Sequence, residues 1–213
     1  MTEAVDLPGE VVHLTLLEPG HVDGLVAAAN EGRDTYAYTW VPETRAEMTD
    51  YVERALADWR RGWAPPFSIW ADGRIVGSTR YLDLDYWDPG SPPWPPGRPS
   101  AGGQGVPSVA EIGSTWLAAS AQGTPVNTEA KYLLLGHAFE VWALHRVSFK
   151  TDARNVRSRR AIERLGATFE GVRRAHVLAT DATVRDSAYY SILRSQWPGI
   201  RARLEARLAR ASG

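Results

Sequence analysis

Two places in this chain have the residue types and spacing to hold an anion. The turn Gln122-Gly123-Thr124-Pro125 stands between a β-patterned run and a helical one, and Asn155 stands at the same kind of junction further on. Thr124 suits a helix N-cap with Pro125 as the first helical residue, and Asn155 is an equally good cap. Unpaired backbone N–H groups and the positive end of the helix dipole gather at such starts, which makes an anionic ligand the expected occupant. Other chemistries are narrowed by what is missing. With Cys 0 there is no thiol nucleophile, disulfide or thiolate metal site. The five histidines form neither HxH nor HExxH spacing, so no metal is expected.

The elements that must position these two starts follow from periodicity. Val109–Leu117 is a strand, and the helix after the turn carries Val126, Ala130, Leu133, Leu134, Ala138 and Trp142 on one face. Arg146–Thr151 alternates as a second strand. The helix capped by Asn155 turns Ile162 and Leu165 inward and stops at Gly166 in a left-handed conformation. Upstream, Val11–Leu17 reads as a strand and His21–Glu31 as a helix. Thr44–Gly62 is a second helix, opened by a Thr44/Glu47 capping box. Phe67–Ala71 and Ile75–Leu84 pair across Asp72-Gly73. Residues 88–108 are rich in proline and glycine and read as a long surface loop, either functional or a disordered insertion. Phe169–Leu178 and Val184–Leu193 are the last strands, followed by an amphipathic helix over Pro198–Arg210. The order β-α-α-β-β-β-α-β-α-β-β has no tandem βαβ units, and it predicts one α/β domain over residues 1–213 on a mixed sheet.

Composition sets outer bounds. A net charge of -1 gives no electrostatic footprint for nucleic acid. No apolar run reaches the ~20 residues of a membrane span and no signal-peptide pattern opens the chain, so the cytoplasm is the expected compartment. The nine tryptophans include Trp63, Trp87 and Trp94 in irregular sequence, where an aromatic serves either a binding surface or packing under a loop.

The segments EIGSTWL, TEAKYLLLGHAFE, RVSFKTDARNVRSRRAIERLGATFEG, RDSAYYSIL and QWP, in this order, resemble the GNAT superfamily of acyl-CoA-dependent N-acyltransferases, and within it the RimJ/RimL-like branch. The resemblance covers nearly the whole chain apart from the proline-rich loop. It implies a single domain on a mixed, mostly antiparallel sheet with splayed central strands flanked by helices. It also implies acetyl-CoA as acyl donor, a primary amine as acceptor, no metal and the possibility of a homodimer.

In that family the turn after the central strand has the pattern (Gln/Arg)-x-x-Gly-x-(Gly/Ala) and holds the CoA pyrophosphate. Gln122 matches the first position, Pro125 replaces the first glycine and Asn127 the second. Proline has no N–H to give, so the expectation is weaker donor binding through the remaining Gly123, Thr124, Val126, Asn127 and Thr128. Pantetheine is expected along Thr115–Ala118, including Trp116 and Leu117. Asn155 is expected near the thioester arm, and Arg157, Arg159 or Arg160 at the phosphates, with Arg159 put first.

The chemistry this implies is direct attack of a neutral amine on the thioester, so some group must take a proton. Glu111 is the candidate base, reaching the acceptor cleft with a pKa raised by burial; the alternative is a strand-edge carboxylate in solvent. Ser158 matches the serine proposed to assist the leaving thiolate, and Tyr190 and Tyr132 are reserves. Tyr38, Tyr81 and Trp87 are expected to line the acceptor side, with Asp83, Asp85 and Asp88 near them in sequence. The acceptor stays open between a protein N-terminus and a small amine, and a non-catalytic acyl-CoA sensor is the reading from another class.

Overall fold

The structure, a computed structural model, describes residues 5–87 and 105–211. Most of the proline-rich stretch, with Asp88 and Trp94, lies outside the described residues. Eight strands form one sheet: β1 (Leu7–Pro8), β2 (His13–Leu16), β3 (Pro66–Ala71), β4 (Arg74–Asp85), β5 (Val109–Leu117), β6 (Arg146–Asp152), β7 (Thr168–Leu178) and β8 (Val184–Leu193). Their spatial order is β1-β2-β3-β4-β5-β6-β8-β7. Six neighbouring pairs are antiparallel. The pair β5–β6 alone is parallel, because helix α3 (Val126–Gly136) carries the chain back across the sheet between them.

Helices α1 (Val22–Ala29) and α2 (Arg45–Arg60) cover one face, where the Tyr51 hydroxyl meets that of Ser78 on β4 at 3.1 Å. The α2 start is the expected capping box: the Glu47 N–H donates to Thr44 Oγ1 at 3.2 Å, and the Glu47 carboxylate accepts from the Thr44 N–H at 3.0 Å. Helix α3 covers the opposite face, where the fully buried Tyr81 of β4 donates its hydroxyl to the Leu134 carbonyl at 2.6 Å. Helix α4 (Val156–Leu165) lies on that same face, with Arg159 donating to the Tyr190 hydroxyl at 2.9 Å. Helix α5 (Trp197–Ala211) packs on α3, with Tyr132 donating to Glu205 at 2.8 Å.

Helix α3 departs from the expected pattern at both of its ends. Helix α3 begins at Val126 with Pro125 as its cap residue, one position later than the Thr124 cap expected; the Thr124 hydroxyl still accepts from the Val126 N–H at 3.3 Å. The helical stretch also does not run uniformly to Trp142. It passes into a π-helical turn over His137–Val141, closed by a Trp142 N–H to His137 carbonyl bond of 3.0 Å. The wider turn lays Trp142 against Tyr81, with ring centroids 4.6 Å apart.

Candidate functional site

The parallel pair supplies the opening. Strands β5 and β6 share only three rungs, Val109 with Arg146, Ala110 with Val147 and Glu111 with Ser148. Both strands continue past the last rung, β5 to Leu117 and β6 to Asp152, without pairing each other. A bulge helps β5 turn away: Ser114 adopts φ 48, and its register with β4 shifts between Ser78 and Arg80. The result is a groove through the sheet, with a helix N-terminus at each lip.

Glu111 sits on the last shared rung. It is 4% exposed, and its Oε2 lies 3.1 Å from Nζ of Lys150 on β6. Parallel pairing puts Glu111 and Ser148 on one side of the sheet, and Lys150, two residues on from Ser148, joins them there. Lys150 also reaches Asp83 of β4 at 3.2 Å, and Asp83 itself is left-handed at φ 48. Burial pushes the Glu111 carboxyl up to about 7, although the Lys150 ammonium opposes the rise. Lys150 loses from burial but is held above the ordinary lysine value by Glu111 and Asp83. Gly113 leaves room for this carboxylate, since a Cβ there would lie 2.8 Å from Glu111 Oε1. The solvent-exposed alternative for Glu111 is therefore excluded by its environment.

On the β5 lip, alternation separates the backbone groups named from sequence. The Ala118 N–H is spent on the Val76 carbonyl of β4 at 2.7 Å, and Trp116 pairs with Ser78, so neither backbone faces the groove. Thr115 and Leu117 point their backbone the other way, into it. The Leu117 carbonyl accepts from the Tyr36 hydroxyl at 2.8 Å and from Gln122 Nε2 at 2.9 Å. The Trp116 ring is buried against Tyr36, and its Nε1 has no partner among the described residues. In the turn that follows, Gly123 takes φ 76 and Pro125 has no N–H to offer. Among the described residues, the N–H groups of Gly123, Thr124, Asn127 and Thr128 have no acceptor, whereas that of Val126 is used by Thr124. An anionic group therefore has four amides, rather than five, to meet.

On the β6 lip, Asn155 Oδ1 accepts from the Ser158 N–H at 3.0 Å, as a cap should. Ser158 lies half-buried in the first turn of α4. The arginine put first from sequence is turned elsewhere: Arg159 bonds Tyr190 and the Ala153 carbonyl and stacks its guanidinium over Phe169. Arg157 is the one at the groove. It donates to Gln122 Oε1 at 2.8 Å and to the Thr35 carbonyl at 2.5 Å, joining α4, the β5–α3 turn and the segment between α1 and α2. The reserves Tyr190 and Tyr132 are committed to Glu163 and Glu205.

The acceptor-side aromatics divide. Tyr38 is half-buried under the Arg154 guanidinium, 5.3 Å from its ring, beside the groove. Tyr81 is a core residue of the α3 face, fully enclosed, and presents no surface to an acceptor. Trp87 stacks on His145 at the end of the sheet where β5 and β6 are still paired, away from the opening. A cavity of about 380 Å³ lies by Tyr36, Ala37, Trp40 and Thr180, where the Thr180 hydroxyl donates to the Ala37 carbonyl at 3.1 Å.

Sequence reasoning passed over Lys131 and Lys150. Lys131 is 5% exposed on α3, and its Nζ lies 3.1 Å from Thr79 Oγ1 and 2.5 Å from Thr115 Oγ1. Burial drives its ammonium down to about 7. Its spacing of three and four from Leu134 and Leu135 places it on the buried stripe, which was the available signal.

Known proteins with this arrangement give it a lineage. The acetyltransferase (GNAT) domain profile matches residues 12–168, from the start of β2 through both lips of the groove. The Bacillus subtilis (strain 168) protein named Putative ribosomal N-acetyltransferase YdaF is 28% identical over 195 residues, 89% of this chain and 95% of that one. The crystal structure of a putative acetyltransferase from T. thermophilus is 31% identical, with a TM-score of 0.77 over 98% of this chain and 99% of that one. Mycobacterium smegmatis RimJ in complex with CoA-disulfide shares the fold at 21% identity, with a TM-score of 0.75 over 96% of this chain and 93% of that one. With a profile match spanning most of its length and the splayed β5–β6 pair at the centre of that match, the chain belongs to the GNAT acetyltransferase family.

Proposed function

We propose that this protein moves an acetyl group from acetyl-CoA to a primary amine by direct attack, with Glu111 as the general base. The observation that carries the reading is a buried carboxylate on the last rung before the groove, its pKa lifted to about 7. A base near neutrality can both accept a proton from an amine and be ionised to do so. The groove is the place for the donor's pantetheine arm, with backbone groups of Thr115 and the N–H of Leu117 on offer, the Leu117 carbonyl being held by Tyr36 and Gln122. The free amides of Gly123, Thr124, Asn127 and Thr128, with Gln122 and Arg157 beside them, suit its phosphates. Asn155 stands at the other lip. The attacking nitrogen forms its bond to the thioester carbon as the carbon–sulfur bond breaks, Glu111 takes the amine proton, Ser158 gives its hydroxyl proton to the departing thiolate, and solvent carries the proton from Glu111 back to Ser158.

The likeness to YdaF, whose name refers to the ribosome, makes a protein N-terminus the first acceptor to test. The Thr180–Ala37 bond, which spans the acceptor side next to Tyr38, favours a second reading in which the acceptor is a small amine. Thiol release from acetyl-CoA, followed with N-terminal peptides of ribosomal proteins and with a panel of small amines, separates the two. Turnover with peptides supports the first reading and turnover confined to small amines the second. Absence of turnover on either panel with the donor bound would leave a non-catalytic acyl-CoA sensor.

A further inference from the structure

Of the 24 basic residues other than histidine, 22 are arginines, and Lys131 and Lys150 are the only lysines in the chain. Both lie against the groove. Lys131 is buried between α3 and the sheet, but the Lys150 side chain is 26% exposed, between Glu111 and Asp83. A structural ion pair with two carboxylates does not need a lysine: an arginine serves that purpose at least as well, with a fork that matches them. What lysine alone offers is a primary amine. Lys150 Nζ is 3.1 Å from Glu111 Oε2, the contact an acceptor amine would have to make with the proposed base. It also stands on the β6 lip two residues past the last shared rung, about 7 Å into the opening at the rise of a strand.

We propose that Lys150 is an internal acyl acceptor, acetylated by the protein's own groove when no external amine is present. The inference rests on the acetyl-CoA reading above. One proton passes from the Lys150 ammonium to the Glu111 carboxylate. The free amine attacks the thioester carbon, the carbon–nitrogen bond forms and the carbon–sulfur bond breaks. The second proton lost by nitrogen goes to the leaving CoA thiolate. The products are Nε-acetyl-Lys150, CoA as its thiol, and Glu111 as an acid that returns its proton to solvent. Modification removes the cation between Glu111 and Asp83 and leaves the exposed Asp83 carboxylate without its partner, a change that favours entry of a cationic acceptor.

The chain makes the test simple, because its only amines are the N-terminus, Lys131 and Lys150. Purified full-length protein is incubated with acetyl-CoA, its intact mass followed, and the site mapped by tryptic digestion, where acetylation abolishes cleavage after Lys150. A single acetyl group on Lys150 is expected, forming at least about tenfold more slowly in Glu111→Gln and absent in Lys150→Arg. Thermal unfolding with CoA monitors donor occupancy in each variant. Lys150 left unmodified while the donor binds, or modified equally fast in folded Glu111→Gln, would overturn self-acylation and leave the acetyltransferase reading standing. No donor binding at all would overturn both.

Discussion

Arg157, in the first turn of α4, donates to Gln122 Oε1 at 2.8 Å and so ties together the two helix starts on opposite lips of the groove. The same guanidinium holds the Thr35 carbonyl, and Gln122 Nε2 donates to the Thr35 hydroxyl at 2.9 Å. The donor-side turn and the segment carrying Tyr36 and Tyr38 are thus one hydrogen-bonded unit. Arg157→Ala should loosen the acceptor segment and lower kcat/KM for the amine by about ten- to a hundredfold, the scale of a displaced positioning group. Arg157→Lys, which cannot bridge both partners in the same plane, should recover little. Steady-state kinetics at saturating acetyl-CoA decides this.

The pH dependence of the reaction follows from Glu111. As the proposed base it acts as the carboxylate, and burial raises its pKa to about 7, so kcat/KM should rise through neutrality rather than near the ordinary glutamate value of 4.5. Lys150 opposes that rise, and Lys150→Met should move the acid limb to higher pH. Glu111→Gln should lose the limb and about 10²–10⁴ in rate. A pH profile from 5 to about 9 on the three proteins reads all of this.

Lys131 makes a stability prediction with the opposite sign to a surface lysine. Its pKa is depressed from 10.5 to about 7, so the unfolded chain binds a proton that the folded chain resists. The cost is greatest below about pH 7, falls by about 1.4 kcal/mol per pH unit above it, and vanishes beyond the unfolded value. Lys131→Met should therefore raise Tm at pH 6 to 7, with the gain shrinking toward pH ~10. Thr79 and Thr115, already 2.8 Å apart, remain partners for each other.

Tyr81→Phe tests the core position of Tyr81. Loss of its bond to Leu134 should cost about 1 kcal/mol in denaturant unfolding. The acceptor KM should not change.

Glu129→Ala should cost more. The buried Glu129 carboxylate accepts three backbone N–H groups, from Glu10, Val11 and Val12, at 2.6–3.0 Å, and so fastens the lead-in to β2 onto α3. Removing it strands those amides at roughly 1–3 kcal/mol for each that stays buried.

Much of the fold was legible in the sequence because local signals carry it. The Thr44/Glu47 box, the Asn155 cap and the Gly166 stop each satisfy their own chain neighbours, and they fall where periodicity placed them. The splayed pair came from the resemblance, since nothing local in Val109–Leu117 says where pairing with β6 ends. Side-chain direction was legible only in part. Glu111 is buried because the third rung and the Gly113 gap accept it, whereas Arg159 and Arg157 sit two residues apart on one helix and face different partners. Which one reaches Gln122 depends on how α4 is rolled on the sheet, a tertiary quantity. Tyr81 faces the core rather than the expected acceptor side for the same reason: one step along β4 exchanges one face of the sheet for the other.

Whether the opening between β5 and β6 is an acyl-CoA site despite Pro125 is read from thermal unfolding with acetyl-CoA, CoA and ATP. A donor at about a hundred times its Kd adds about 2.7 kcal/mol, a rise of a few degrees for a domain of this size. An acyl-CoA site gives that rise with acetyl-CoA and CoA and none with ATP. An unchanged Tm at millimolar acetyl-CoA would contradict it, and the roles given to Glu111, Ser158 and the four free amides would fall together.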